Sequence, residues 1–454
     1  MRIPGAINRN VLQVYEPHPV VTSRCHQTLE SYNFDKWDQQ LPKTLQELCV
    51  KAIAKNWAEK PVLNEIVLAI DRYFLLDILE TDLPLKLTIP RISDDVYWKR
   101  CYIEKWPRRL PVKVRPIEIK EIFRDTDIRR LSSISEKSRL RCSEQERNNY
   151  DPEKKTWKEY YIEMYLKEYI EDLKPEDYDA EKMKELSDLC SDYVRVLRIE
   201  QMRCSENSSN RIPLNSVLSG FRHLKELSIC FKQTYVGEQF SWNVLNIASQ
   251  DIRLLVKGLV KLRLHVLRIR NSDINCEKLI LILKALLKHD IRVLDFYHCK
   301  VADKGALATS NFITEVPVKE LILANNRIGS KGIQYLSHAL RQPVCSISKL
   351  DLHLNQLTDE AGNLLLSSLN PKTMKSLFLS GCGFSGTLSI GRLLKANPAL
   401  EFLDISNNRL GEEVGQAILD GLKYNSTIKK LDLRMCRIST ETEFEIQELV
   451  SAKK

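Results

Sequence analysis

The chain has 454 residues, too many for one small domain, and its 69 Lys and Arg outnumber 60 Asp and Glu, giving a net charge of +9. This modest excess does not predict a nucleic-acid-binding protein, whose positive charge is usually concentrated on one face. No segment approaches the roughly 18 apolar residues of a membrane span, and the N-terminus lacks the apolar core of a signal peptide.

Residues 1–42 are polar and predict an extended arm. Residues 43–110 predict a small α-helical domain. Its first helix is expected to begin after Thr44, because Thr is a favoured N-cap residue and Glu47 follows three positions later.

Aromatic and basic side chains alternate near the end of this predicted domain. Tyr97, Trp98 and Trp106 lie among several Lys and Arg residues, a pattern that would suit stacking on nucleobases. Aromatic residues in a small helical domain more often form its core. We therefore expect them to be packed and expect no nucleic-acid partner.

Residues 111–155 are rich in charge and poor in large apolar residues, so they predict a basic, flexible insertion. Ser132 within it follows two arginines and a leucine, which fits a basophilic kinase site. Residues 156–190 predict a helical segment that caps the array of repeats in the remainder of the chain. Trp157 and Tyr161 lie on its aromatic face, which is expected to pack.

Residues 191–454 carry a repeated pattern, Leu-x-x-Leu-x-Leu-x-x-(Asn or Cys)-x-Leu, whose clearest run of copies begins 26 to 29 residues apart. Such a period indicates leucine-rich repeats, in which a strand, a turn and a helix bury their apolar faces only by stacking on neighbouring units. We therefore predict an α/β fold: a ribonuclease-inhibitor-like solenoid with a parallel inner sheet and outer helices, preceded by the small helical domain. The copies begin at Leu264, Ile291, Val318, Ile347, Met374, Leu400 and Ile428.

The polar position of the repeat is expected to bond to backbone groups of the turn, because buried backbone groups must be paired. Asparagine occupies it in the strongest copies and cysteine in three others: Asn326, Asn355 and Asn408, and Cys299, Cys382 and Cys436. The 12 cysteines include no C-x-x-C pair, which is the usual spacing for zinc or redox chemistry. We therefore expect reduced thiols in an intracellular protein, with no metal and no cofactor.

Strand side chains that point away from the buried leucines should form one surface, which we call the concave face. Its early part is basic and its later part carries four Asp. This could be a polarised groove for a partner of complementary charge. Alternatively, Asp is simply common between the leucines of such repeats and is solvated. The candidate partner-binding residues are Arg268, Arg270, Asp295, Tyr297, Asp351, His353, Phe378, Asp404, Asp432 and Arg434.

No phosphate-binding loop, dinucleotide fingerprint, zinc-protease motif or nucleophile elbow occurs in the chain, so no catalytic residue is predicted. The alternative to a pure binding protein is a cytosolic leucine-rich-repeat regulator of the inhibitor or GTPase-activating kind. In that case Arg268 or Arg270 would supply positive charge to a transition state. Both could equally be ordinary exposed arginines.

The order of these features resembles the dynein regulatory complex subunit 5 family, also called t-complex-associated testis-expressed protein 1. The resemblance covers roughly residues 43–110 and 156–454, and the basic insertion departs from it. It rests on LQELCVKAI followed by Pro61, on DLPLKL, on the block from Tyr97 to Trp106, on Trp157 to Leu166, and on Asp192 to Arg195 before the first repeat.

The resemblance implies a non-enzymatic scaffold subunit of the nexin–dynein regulatory complex, which links doublet microtubules in motile cilia and flagella and regulates dynein-driven motility. It implies a location in the cytoplasm and cytoskeleton, within the axoneme. The expected partners are other subunits of that complex and, directly or indirectly, axonemal doublet microtubules. No membrane partner is expected.

Overall fold

The computed structural model describes residues 44–109, 155–205, 208–233 and 245–453. The arm expected at residues 1–42 and the insertion expected from residue 111, including Ser132, lie outside them apart from residue 155. The domain limits expected from the sequence stay predictions. The chain divides into two compact units, residues 1–87 and residues 88–454.

The described part of the first unit is helical. Helix α1 spans Leu45–Lys55 and α2 spans Ala69–Ile78. Thr44 Oγ1 accepts a hydrogen bond from the amide of Glu47 at 3.2 Å, so the predicted N-cap is confirmed. Trp57 is fully buried and donates its indole N–H to a loop carbonyl at 3.1 Å, which fixes the chain between the two helices.

Further helices precede the repeats. Helix α3, Leu85–Arg91, crosses the division between the two units, and α4, Asp95–Lys105, α5, Trp157–Asp172, and α6, Ala180–Cys190, lie in the second.

The aromatic residues of α4 and α5 pack against one another. The ring of Tyr161 lies 5.3 Å from the rings of both Trp98 and Trp106. Trp98 is 1% exposed. As expected, these side chains form a core between helices, where no nucleobase could stack on Trp98.

Nine parallel strands follow, paired in chain order as one sheet. They are β1 Val196–Ile199, β2 Glu226–Ile229, β3 Val266–Ile269, β4 Val293–Asp295, β5 Glu320–Ile322, β6 Lys349–Asp351, β7 Ser376–Phe378, β8 Phe402–Asp404 and β9 Lys430–Asp432.

Each strand is followed by a helix. These helices are α7 Leu214–Ser219, α8 Ser249–Leu259, α9 Cys276–Leu286, α10 Asp303–Glu315, α11 Ser330–Leu340, α12 Asp359–Ser368, α13 Ser389–Ala396, α14 Glu412–Tyr424 and α15 Thr440–Ser451.

A leucine stands at the same level of every strand and faces the helices. From Leu197 in β1 to Leu431 in β9 these leucines are paired in register, and all are buried. Alternation along the strand puts the flanking residues on the opposite face. The predicted α/β solenoid, with its parallel inner sheet and outer helices, is confirmed.

The polar position of the repeat bonds one unit to the unit before it. Asn355 donates its amide to the carbonyls of Leu323 and Leu352, at 3.0 and 2.9 Å, and accepts from the amide of Ile328 at 3.1 Å. The thiol of Cys299 donates to the carbonyl of Ile269 at 3.3 Å. The expected bonding of this position to the backbone is therefore confirmed.

The cysteines at this position are inert because they are buried. Burial raises the pKa of Cys299 and Cys382 to about 12, and that of Cys436 to about 11. The thiols therefore stay protonated at neutral pH and remain hydrogen-bond donors.

Helix α5 closes the open edge of the first strand with carboxylates. Within the array, two successive amides donate to one carbonyl of the preceding strand, as Lys225 and Glu226 do to Arg195. The equivalent amides of Arg195 and Val196 donate to Glu163 Oε1, at 3.2 and 3.0 Å. A carboxylate oxygen thus takes the place of the carbonyl that a preceding repeat would supply.

Replacing Asn355 by Ala should lower the free energy of unfolding by about 2 kcal/mol, because the amide of Ile328 loses its buried acceptor and two carbonyls each lose one of their two side-chain donors. Asn355→Cys should cost less, since a thiol at this position can donate as Cys299 does. Urea denaturation measures both values. Equal losses for the two variants would contradict the proposed role of the donor.

Replacing Glu163 by Ala should also destabilise the chain by about 3 kcal/mol, because Lys155 loses its buried ion-pair partner and two amides lose their acceptor. Glu163→Gln, which keeps an acceptor oxygen, is the matched control and should retain part of that stability. Unchanged denaturation of Glu163→Ala would show that the edge needs no acceptor.

Candidate functional site on the concave face

The predicted site residues lie on two adjacent rows of the concave face. Six of them stand between the leucines, one per strand, in a row that Ile322 of β5 interrupts between Asp295 and Asp351. The other four lie two residues further on. At about 4.8 Å per strand, nine strands make each row roughly 40 Å long. The first row contains Arg268, Asp295, Asp351, Phe378, Asp404 and Asp432, and the second contains Arg270, Tyr297, His353 and Arg434.

Five of these residues meet in a central cluster. Arg270 Nε donates to Asp295 Oδ2 at 2.6 Å. The rings of Tyr297 and His353 lie 5.7 Å apart, and His353 Nδ1 is 2.6 Å from Asp351 Oδ1. The structure therefore joins residues that lie at the ends of β3, β4 and β6 or just after them, and Asp295 among them is fully buried.

A small residue permits the contact between Tyr297 and His353. The repeat between them carries Ala324 at the same position of the second row, and Ala324 is fully buried. A larger side chain there would separate the two rings. The cluster therefore joins side chains of two repeats that are not adjacent. The sequence pattern did not reveal this contact.

The four aspartates of the first row have a shared local role. The carboxylates of Asp295, Asp351, Asp404 and Asp432 each accept from the amide two residues later, at 3.0 to 3.2 Å. This bond satisfies a backbone donor where the strand ends. Asp therefore recurs at this position for a structural reason. In the sequence, this bonding could have been recognised from an acidic residue that stands two positions before a polar one.

Ion pairs and hydrogen bonds within the face offset much of its charge. Arg268 Nη1 lies 3.4 Å from Glu226 Oε2. Arg434 pairs with Asp432 and lowers the pKa of that carboxyl. Asp404 accepts from the hydroxyl of Ser406 at 2.7 Å. The face therefore offers positioned hydrogen-bonding and aromatic groups more than bare charge.

A third row, missed from the sequence, also belongs to the concave face. It is formed by the first residues of the strands, two positions before the first row. Glu226 lies on it, as do Glu320 and Lys349, whose charged groups are 3.3 Å apart. Alternation along each strand would have identified this row.

The two arginines considered for GTPase activation are both engaged by carboxylates: Arg270 pairs with Asp295, and Arg268 pairs with Glu226. A charge donor to a transition state would first have to leave these partners.

Across the described segments, no three His, Cys, Asp or Glu side chains come together as a metal site. Nor do those segments contain a helix long and apolar enough to traverse a bilayer.

Comparison with known proteins adds family information to this geometry. The family model described as "Leucine Rich repeat" matches residues 317–337 and 424–441. "Dynein regulatory complex subunit 5" of Macaca fascicularis is 24% identical over 329 residues, covering 67% of this chain and 58% of the relative. The Mus musculus protein of that name is 25% identical, covering 61% and 52%.

The resemblance to dynein regulatory complex subunit 5 is thus confirmed, although this chain spans little more than half the length of those relatives. "Ribonuclease inhibitor" of Sus scrofa is 28% identical over 180 residues, covering 37% of this chain and 33% of that protein. That match is shorter and agrees with the type of repeat.

The cluster should make stability depend on pH through His353. Its hydrogen bond to Asp351 raises the pKa of His353 in the folded chain. The protonated pair therefore stabilises the fold fully below the unfolded pKa of about 6.5, and this contribution is lost as pH rises through the folded pKa.

We expect His353→Gln to lower the free energy of unfolding more at about pH 5.5 than at about pH 8.5, by about 1 kcal/mol or less because solvent screens the pair. His338→Gln on α11 is the control. Urea denaturation of the three proteins at both pH values measures the difference, and an equal loss at both would contradict a role for the protonated pair.

Proposed function

We propose that the chain is a non-enzymatic scaffold subunit of the nexin–dynein regulatory complex of motile cilia and flagella. In this role the repeat array docks other subunits of the complex through its concave face and helps to regulate dynein-driven motility. Its location would be the axoneme, with the doublet microtubules as direct or indirect neighbours.

The extent of the similarity carries this proposal. A match to 67% of the chain is longer than the stretch from β1 to α15, so it includes residues outside the repeats. Leucine-rich repeats alone resemble many unrelated binding proteins. The match to the relatives named for the dynein regulatory complex therefore rests on more than a shared repeat.

The geometry supports a binding role. Side chains of nine strands face one way, and their hydrogen bonds within each turn hold several of them in place before any partner arrives. Preorganised side chains lose less entropy on binding. A row roughly 40 Å long can spread contacts over several repeats without a moving loop.

Tyr297 is the aromatic residue that we expect to contribute most to docking, because it is half-buried beside His353 on the concave face. Tyrosine is enriched at interface positions whose truncation costs about 2 kcal/mol or more. Tyr335, an exposed residue on the outer helix α11, offers a matched control on the opposite side.

Proximity labelling in ciliated cells tests the proposal, with a biotin ligase fused to the full chain. The unaltered chain and Tyr335→Ala should label other subunits of the nexin–dynein regulatory complex, and Tyr297→Ala should label them at least about tenfold less, in line with the loss of a binding hot spot. Thermal denaturation of the purified variants verifies that both are folded.

Two results would contradict the proposal. Labelling confined to soluble proteins would remove the axonemal role. Recovery of a small GTPase whose hydrolysis the chain accelerates, with the acceleration lost in Arg268→Ala or Arg270→Ala, would favour the regulator instead.

A further inference from the structure

The two edges of the sheet end differently. At β1 the backbone amides meet carboxylates of α5: Glu163 accepts from two of them, and Glu171 Oε1 accepts from the amide of Glu200 at 2.6 Å. At β9 none of the described carboxylates accepts from an amide of the outer edge. The only side-chain bond to its outer edge within the described residues is a long one, from Gln447 Nε2 to the carbonyl of Leu431 at 3.4 Å.

The outer edge of β9 keeps the hydrogen-bonding pattern that links all the other strands. In β8, the carbonyl of Glu401 accepts two amides of β9, and the amides of Ile405 and Asn407 donate to carbonyls of β9 at 3.1 and 2.9 Å. The equivalent groups of β9 are the carbonyl of Lys429 and the amides of Leu433 and Met435. In the described part of the chain these three groups have no hydrogen-bonding partner.

A cavity of about 620 Å³ lies beside this edge. Its apolar lining comes from Phe402, Leu431 and Val450, and its polar lining comes from Gln447 and three lysines, Lys429, Lys430 and Lys453. None of the described residues that line it carries a carboxylate.

Two of the three lysines of the cavity, Lys430 and Lys453, have no carboxylate partner among the described residues. Lys429 pairs with Glu401 at 2.6 Å, and Lys453 donates to the carbonyl of Leu422 at 2.6 Å. Lys430 is exposed, and none of the residues that the structure describes forms an ion pair with it. A segment seated here would be favoured by acidic side chains next to apolar ones.

We propose that the edge of β9 binds an extended acidic segment of a partner protein, which adds to the sheet as a tenth parallel strand. Two successive amides of that segment donate to the carbonyl of Lys429, and its carbonyls accept from the amides of Leu433 and Met435. Its acidic side chains lie against Lys430. Strand addition of this kind takes affinity from the main chain and specificity from side chains.

A second copy of this chain fits the edge less well than an acidic segment. Edge-to-edge pairing of two β9 strands would bring two lysine-lined cavities together, and like charges in register are destabilising. Lys430 also belongs to the third row of the concave face, but strand addition uses backbone groups of β9 that face away from the other strands. The proposal therefore does not depend on the function proposed above.

Fluorescence anisotropy of the full-length chain with labelled peptides tests the proposal. The probe is an acetylated and amidated peptide of four Glu-Val pairs. It should bind saturably. The same peptide with N-methylated glutamates has equal charge but lacks the amide donors of the residues beside Lys430, so it should bind at least about tenfold more weakly. Hydrogen exchange at Leu433 and Met435 should slow when the Glu-Val peptide is bound.

Charge reversal provides the matched control. Lys430→Glu should weaken the Glu-Val peptide at least about tenfold, the change that about 1.4 kcal/mol produces. Lys423→Glu, at an exposed lysine of α14 outside the cavity, should change its affinity less than about twofold, as expected for a screened distant charge. Tyr297→Ala should leave peptide binding unchanged, so failure of this proposal and failure of concave-face docking are distinguishable.

Three outcomes would overturn the proposal. The first is equal binding of the Glu-Val peptide and its N-methylated form, which would indicate attraction by charge alone. The second is an equal effect of Lys430→Glu and Lys423→Glu. The third is a dimer in sedimentation that the Glu-Val peptide dissociates, which would assign the edge to a second copy of the chain.

Discussion

Every repeat depends on buried backbone groups that are paired with the repeat before it. The side chain of Asn408 bonds the carbonyl of Leu379 in the previous unit, and the thiol of Cys436 bonds that of Ile405 in the same way. A buried carbonyl or amide left without a partner costs about 1 to 3 kcal/mol. A single repeat is therefore unstable alone, and each end of the array needs another source of partners.

The first strand obtains its hydrogen-bonding partners from α5. The need for these partners explains why a helix precedes the first repeat. Within the described residues no repeat precedes β1, and Glu163 supplies the acceptor that a preceding repeat would otherwise supply. The same register that aligns the buried leucines aligns the side chains on the concave face. On that face Asp295 bonds the side chain of Arg270, and Asp351 bonds the side chain of His353, so both side chains are held in fixed directions. The same strand register therefore stabilises the sheet and arranges the side chains of the binding surface.

The sequence predicted the solenoid, its inner sheet and the bonding of the polar position, because all three follow from periodicity within one repeat. Contacts between distant residues were not predictable in this way. Glu163 and Arg195 are 32 positions apart in different kinds of element, and no period relates them. The contact of Tyr297 with His353 needs the stacking register and the small Ala324 between them. The i to i+2 bonds of the aspartates are local and were simply missed.

Electron cryo-microscopy of axonemes tests the axonemal role most directly, by comparing doublet microtubules from cells with and without this chain. If the chain is a subunit of the linker between doublets, its removal should erase a density there that fits nine parallel strands backed by helices. An unchanged linker, with the chain recovered only in the detergent-soluble fraction, would contradict the assignment.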